Sequence, residues 1–105
     1  MRRIALIITG LTVSTLSTAV FANDAAALAK KYGCLNCHSI EAAVVGPAYK
    51  DVAAKYKGRA DAPAKLVAKV QNGGAGSWGT MPMPPQKGKV SEADTKILVN
   101  WVLSQ

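Results

Sequence analysis

Apolar side chains recur at helical spacing in four short stretches of the chain. The spacing predicts helices over residues 24–32 and 48–57. A third helix follows the N-cap Asp61 and ends near Gly73, and a fourth follows Ser91. The residues that define these stripes are Leu28 and Tyr32, then Tyr49, Val52, Ala53 and Tyr56, then Leu66, Val67 and Val70, and finally Ile97, Leu98, Trp101 and Val102. Because no stretch alternates as a strand would, the pattern predicts an all-α domain.

Polar residues at the helix starts support these boundaries. Either Asn23 or Asp24 can cap the first helix, and Ser91 opens a capping box whose last position is the acid Asp94. We expect the first and last helices to pack across one another through their largest apolar side chains, which are Leu28, Tyr32, Leu98 and Trp101.

Helical periodicity is lost over residues 73–89, which contain five glycines and three prolines. A loop of this length inside a small domain is typically functional. It carries Trp78 and two methionines, Met81 and Met83.

The first 22 residues resemble a secretory signal. Arg2 and Arg3 precede an apolar stretch over residues 4–21, and Ala22 ends a small-residue cleavage site. The alternative is an uncleaved membrane anchor, but many threonines and serines dilute the apolar stretch. We therefore predict export to the periplasm, cleavage after Ala22 and a single mature domain over residues 23–105, without stable membrane insertion.

Size and charge restrict what the mature domain can be. Removing residues 1–22 from the 105-residue chain leaves 83 residues, which bury a modest core and usually need a covalent or metal staple. The net charge of +7 falls to +5 when Arg2 and Arg3 are lost. An exported basic protein rarely meets nucleic acid, so the charge suits acidic patches of protein partners or an anionic membrane surface, unless it serves solubility alone.

The only two cysteines form a Cys-x-x-Cys-His motif with Cys34, Cys37 and His38. This is the signature of covalent c-type haem attachment, in which two thiols form thioethers on one edge of the ring and the histidine binds the iron. The alternative is a redox-active dithiol, which expects a nearby βαβ pattern. The absence of a predicted strand favours haem, which would also be the staple.

The sixth iron ligand must be something other than histidine, because His38 is the only histidine in the chain. Met81 and Met83 are the candidates, since a thioether is a good ligand for haem iron. Prolines on both sides of Met83 stiffen its backbone and favour it over Met81.

Several motifs taken together resemble the small bacterial class I cytochromes c of the c-551/c-552 type. The resemblance covers residues 23–105 and rests on Gly33-Cys34-Leu35-Asn36-Cys37-His38, Val45-Gly46-Pro47-Ala48-Tyr49-Lys50-Asp51-Val52, Gln71-Asn72-Gly73, Trp78-Gly79, Pro82-Met83-Pro84-Pro85 and Trp101-Val102-Leu103-Ser104-Gln105. It implies four short helices wrapped around one covalently attached haem c.

The resemblance also implies site roles. Met83 is then the second axial iron ligand opposite His38, the Pro47 carbonyl accepts a hydrogen bond from the His38 ring, and the Trp78 indole donates to a haem propionate. Met81 then occupies a neighbouring apolar position. The chain departs from the family at Gln86, where relatives often carry asparagine, and in a slightly longer stretch over residues 86–89.

An iron bound by both His38 and Met83 has no open coordination site, so we expect an electron carrier rather than an enzyme, with no catalytic residues. The resemblance implies cycling between Fe(III) and Fe(II), with electrons passing between respiratory donors and a terminal oxidase or reductase. Partner proteins would dock weakly at the haem edge, on a patch ringed by lysines. We expect a monomer. The open alternatives are a haem protein with a free sixth site and a haem-free dithiol oxidoreductase.

Overall fold

The computed structural model describes residue 10 and residues 19–105, with side chains from residue 24 onward. Its helices are α1 at Ala19–Lys31, α2 at Tyr49–Tyr56, α3 at Ala62–Asn72 and α4 at Glu92–Leu103. One 3-10 turn at Cys34–Asn36 follows α1. No strand occurs in the described part of the chain, so the predicted all-α class is confirmed.

Helix α1 begins earlier than the sequence pattern predicts. It starts at Ala19, so Asn23 and Asp24 lie inside the helix and not at its N-cap position. In the uncleaved chain no glycine or proline stands between Ala19 and Asp24, and nothing therefore interrupts the helix. The predicted signal over residues 1–22 lies almost entirely outside the described residues. None of the described helices is long and apolar enough to cross a membrane.

The helix caps follow the predicted positions with two differences. The Ser91 hydroxyl accepts a hydrogen bond from the Asp94 amide at 3.1 Å, which confirms the N-cap of α4. The Asp94 carboxylate does not complete the predicted capping box. It accepts a hydrogen bond of 2.6 Å from the Tyr32 hydroxyl and so connects α4 to the end of α1. Asp61 occupies the cap position of α3, but its side chain makes no capping bond and lies 3.5 Å from the Arg59 guanidinium.

Helix α4 is the central element, because it packs against each of the other three helices. One buried cluster joins α1, α2 and α4 and contains Ala25, Ala29, Tyr49, Val90, Leu98 and Trp101, with Leu28 and Tyr32 packed against it. The expected packing of the first and last helices is therefore confirmed. A smaller cluster of Val52, Tyr56 and Ala62 joins α2 to α3.

A buried polar network fixes the point where the long loop returns to α4. Thr95 is fully buried, and its hydroxyl donates to the Ser91 carbonyl at 2.8 Å. The Gln71 amide of α3 donates to the Thr95 hydroxyl at 2.5 Å and to the Val90 carbonyl at 3.1 Å. Both ends of the loop are thereby held against the same pair of helices.

This network gives a test of how the loop is anchored. Thr95→Val keeps the shape of the side chain but removes the hydroxyl that accepts from the Gln71 side chain and donates to the Ser91 carbonyl. The free energy of unfolding should therefore fall by about 1–3 kcal/mol. Urea unfolding of the haem-loaded protein measures the change. Thr80→Val, at an exposed loop position, is the matched control and should alter stability by less than about 0.5 kcal/mol. Equal stability of the two variants would contradict this role of the network.

Candidate haem site

The end of α1 places the Cys-x-x-Cys-His motif. Gly33 adopts a left-handed conformation with φ of 76°, which ends the helix and turns the chain into the 3-10 turn that starts at Cys34. The His38 amide donates to the Cys34 carbonyl at 3.0 Å, so the motif closes into one compact turn. Both cysteines are half-buried. Burial raises the pKa of the Cys34 thiol, and Lys89 opposes this shift only in part; a raised pKa disfavours the thiolate that a dithiol oxidoreductase needs.

The chain then folds back onto the motif. The amides of Val45 and Gly46 both donate to the Cys37 carbonyl, at 3.1 Å and 2.7 Å. These bonds bring Pro47 to the His38 ring, where the Pro47 carbonyl oxygen lies 2.8 Å from His38 Nδ1. A carbonyl can only accept, so Nδ1 carries the proton and Nε2 keeps the free lone pair that a metal requires.

Two further residues, Tyr49 and Gly46, restrict the imidazole, and neither is a site residue predicted from the sequence. The Tyr49 ring stacks on the His38 ring with centroids 5.0 Å apart and an interplanar angle of 20°, and Trp101 meets Tyr49 edge-on at 5.5 Å. Gly46 lies next to the His38 ring, and a Cβ added at Gly46 would be 2.8 Å from His38 Nδ1. A single sequence carries no signal for such contacts, because Tyr49 fits a core position equally well and glycine beside proline fits any turn.

Two backbone hydrogen bonds hold Met83. Its amide donates to the Gly74 carbonyl at 2.8 Å, and its carbonyl accepts from the Gly74 amide at 3.0 Å. Gly73, at φ of 67°, has no room for a side chain, since a Cβ there would lie 2.7 Å from the Pro85 nitrogen. Met83 is half-buried, whereas Met81 is 65% exposed. The local structure therefore separates the two methionines in the direction that the flanking prolines predicted.

All of the predicted site residues line one cavity of about 480 Å³. They are Cys34, Cys37, His38, Pro47, Trp78 and Met83, and Met81 lies at the same cavity. Its other walls are largely apolar and come from α2, α3 and α4, including Val52, Leu66, Val70, Leu98, Val99 and Val102. The volume falls in the range of cofactor pockets, which is about 300–1,000 Å³. Two thiols, an oriented imidazole and a thioether in an apolar pocket fit a covalently bound haem.

Charge and polar groups lie at the edge of this cavity. Lys69 and Lys89 contribute to its lining, and the Gln86 side-chain amide donates to the Pro84 carbonyl at 3.0 Å. Trp78 is 44% exposed.

A second cavity of about 490 Å³ lies between α2 and the start of α3. No cysteine, histidine or methionine lines it, so it offers no iron ligands.

Comparison with known proteins decides the family. Residues 22–105 match the family model described as Cytochrome c. The chain is a cytochrome c. This cytochrome is 63% identical to the cytochrome c-551 of Allochromatium vinosum over 76 residues, which are 72% of this chain and 80% of that protein. It is 51% identical to the cytochrome c-552 of Hydrogenobacter thermophilus over 89 residues, which are 85% of this chain and 87% of that protein.

Solved structures agree with the sequence relatives. The crystal structure of Nitrosomonas europaea cytochrome c552 superposes with a TM-score of 0.71 at 51% identity, and the match covers 75% of this chain and 96% of that one. The cytochrome thus has the small class I fold, and the predicted resemblance is confirmed. Its family carries covalently bound haem c and transfers electrons. The Cys34 and Cys37 pair has the spacing that this attachment requires.

Proposed function

We propose that the chain is a periplasmic monohaem electron carrier, with thioethers at Cys34 and Cys37 and axial iron ligands at His38 and Met83. The observation that carries the proposal is the convergence of these four side chains on one apolar cavity, with the His38 tautomer set by Pro47. When bound, haem c supplies a one-electron couple between Fe(III) and Fe(II).

The contacts around the cavity suit electron transfer, because they hold the predicted iron ligands in place. The Pro47 hydrogen bond and the Tyr49 stack hold the imidazole with the Nε2 lone pair available to bind a metal, while the bridge to Gly74 holds the Met83 backbone. A preorganised ligand set needs little rearrangement when charge changes. If His38 and Met83 both bind the iron, no open site would remain for a substrate, which supports a carrier and not an enzyme.

The cationic edge of the cavity supports docking of acidic redox partners. Lys69 and Lys89 lie at the cavity itself, and the chain carries an excess of basic over acidic residues. The expected partners are respiratory cytochrome complexes, oxidases or reductases. They would bind through a small patch and dissociate quickly. Trp78 would direct its indole N–H to a propionate, and export would follow from the predicted signal over residues 1–22.

Visible spectroscopy of the protein purified from the periplasm tests the proposal. We expect a haem that stays attached to the denatured chain, a low-spin spectrum in both oxidation states, and no spectral change when carbon monoxide is added to the reduced protein. A Cys34→Ala/Cys37→Ala variant is the control, and should lose its haem on denaturation. Strong carbon monoxide binding by the unaltered protein would favour an open sixth site, and an absence of haem would favour the dithiol alternative.

A further inference from the structure

The segment over residues 75–80 forms an exposed flap at the cavity edge. All six of its residues are exposed, and Ala75, Gly76, Ser77 and Trp78 also line the cavity. Within the flap, the Gly76 amide donates to the Gly79 carbonyl at 2.8 Å. The flap carries the largest side chain at the cavity edge, Trp78, on a backbone that has no helix or sheet to support it. Contacts from outside the flap must therefore fix its position.

Lys55 of α2 supplies such contacts, although it lies more than twenty residues away in sequence. Its ammonium donates a hydrogen bond of 2.9 Å to the Ser77 carbonyl. The same nitrogen lies 4.5 Å from the centroid of the Trp78 ring and 5.8 Å from that of Tyr56, which is buried. One cation thus joins the flap backbone and its tryptophan to a side chain of the core.

We propose that Lys55 is a positioning residue that fixes the flap and Trp78 over the cavity edge. Position 55 needs a side chain that is both a hydrogen-bond donor and a cation. The donor binds the Ser77 carbonyl, and the cation lies over the Trp78 ring. Its effect on the haem rests on the proposed function: a fixed Trp78 limits water at the haem edge and holds the indole N–H in one place. Water near the iron stabilises the more highly charged ferric form, so loosening the flap should lower the reduction potential.

Three variants of the haem-loaded protein separate positioning from charge. Lys55→Met keeps the aliphatic stem but removes the donor and the cation, whereas Lys55→Arg keeps both. Lys57→Met is the matched control, because Lys57 is an exposed lysine two positions along, and in the structure as described it contacts neither Ser77 nor Trp78. Lys55→Met and Lys57→Met remove the same charge.

The first measurement is the rate of hydrogen exchange at the Trp78 indole N–H and at the backbone amides of residues 76–79. NMR of the reduced protein monitors the exchange. Exchange should be about tenfold faster in Lys55→Met, as expected for losing a charge-assisted hydrogen bond and a cation–π contact. Lys55→Arg should restore slow exchange and Lys57→Met should leave it unchanged. Equal rates in Lys55→Met and Lys57→Met, or no rescue by arginine, would overturn the proposal.

The second measurement is the reduction potential, which should fall further in Lys55→Met than in Lys57→Met. Equal shifts would mean that Lys55 acts only through its charge and would overturn the positioning role at the haem. These failures are distinct from failure of the proposed function, which the wild-type spectrum and its response to carbon monoxide report independently of the flap.

Discussion

Met83→Ala should convert a protein that ignores carbon monoxide into one that binds it in the reduced state. If Met83 binds the iron as proposed, removing its thioether would leave the iron with His38 as its one protein ligand, because the chain has no second histidine. The reduction potential should fall by on the order of 0.1 V or more, since axial ligands set haem potentials over a range of roughly 0.8 V. Absorption spectra with and without carbon monoxide, together with a potentiometric titration, measure both effects.

Met81→Ala is the matched control for this change. The two methionines are two residues apart on the same loop and line the same cavity, but Met81 is 65% exposed and lacks the two hydrogen bonds that tie Met83 to Gly74. Its removal should leave the spectrum low-spin and unresponsive to carbon monoxide. If Met81→Ala bound carbon monoxide and Met83→Ala did not, the ligand assignment would be reversed.

Gly46→Ala should displace the His38 ring and so disturb the site as strongly as Met83→Ala does. Gly46 does not lie in the left-handed region, so its need for glycine comes from space: a Cβ would lie 2.8 Å from Nδ1 and 3.0 Å from Nε2 of His38. The ring must shift, which weakens its hydrogen bond to Pro47 and moves Nε2 from the position in which it would bind iron. We expect the free energy of unfolding to fall by about 3 kcal/mol, the upper part of the range for overpacking. Loss of low-spin character in the absorption spectrum should accompany it.

Gly58→Ala separates this effect from the general cost of replacing a glycine. Gly58 has φ of 75° and open space around the position of a Cβ, so alanine there costs only the backbone strain of roughly 1–2 kcal/mol. Its spectrum should match that of the unaltered protein. A normal low-spin spectrum in Gly46→Ala would show that the ring tolerates the displacement, contrary to the packing argument.

Ligand presentation in this fold depends on irregular backbone, not on the helices themselves. His38 and Met83 each take part in an isolated β-bridge, with Ala43 and with Gly74. Two backbone hydrogen bonds join Met83 to Gly74, and the His38 amide donates to the Cys34 carbonyl, while the side chains of His38 and Met83 line the cavity. The four helices hold the two loops together, because α4 packs against each of the others.

The sequence by itself determined the helices and the chemistry of the site. Apolar spacing located α2, α3 and α4 to within a residue or so, because helical periodicity is a local property of the chain. The Cys-x-x-Cys-His motif determined the cofactor, because the spacing of Cys34, Cys37 and His38 is what attachment requires. The prolines around Met83 favoured it over Met81 because they restrict the backbone locally.

Only the tertiary structure decided how the site residues are held. The stack of Tyr49 on His38, the close approach of Gly46 and the contact of Lys55 with Trp78 join residues whose sequence separation ranges from eight to more than twenty positions. The pairing of Asp94 with Tyr32 likewise replaced a local capping bond by a contact between helices. Such contacts depend on how the helices and loops pack, and the free energy of that packing is shared among residues that no local pattern relates to one another.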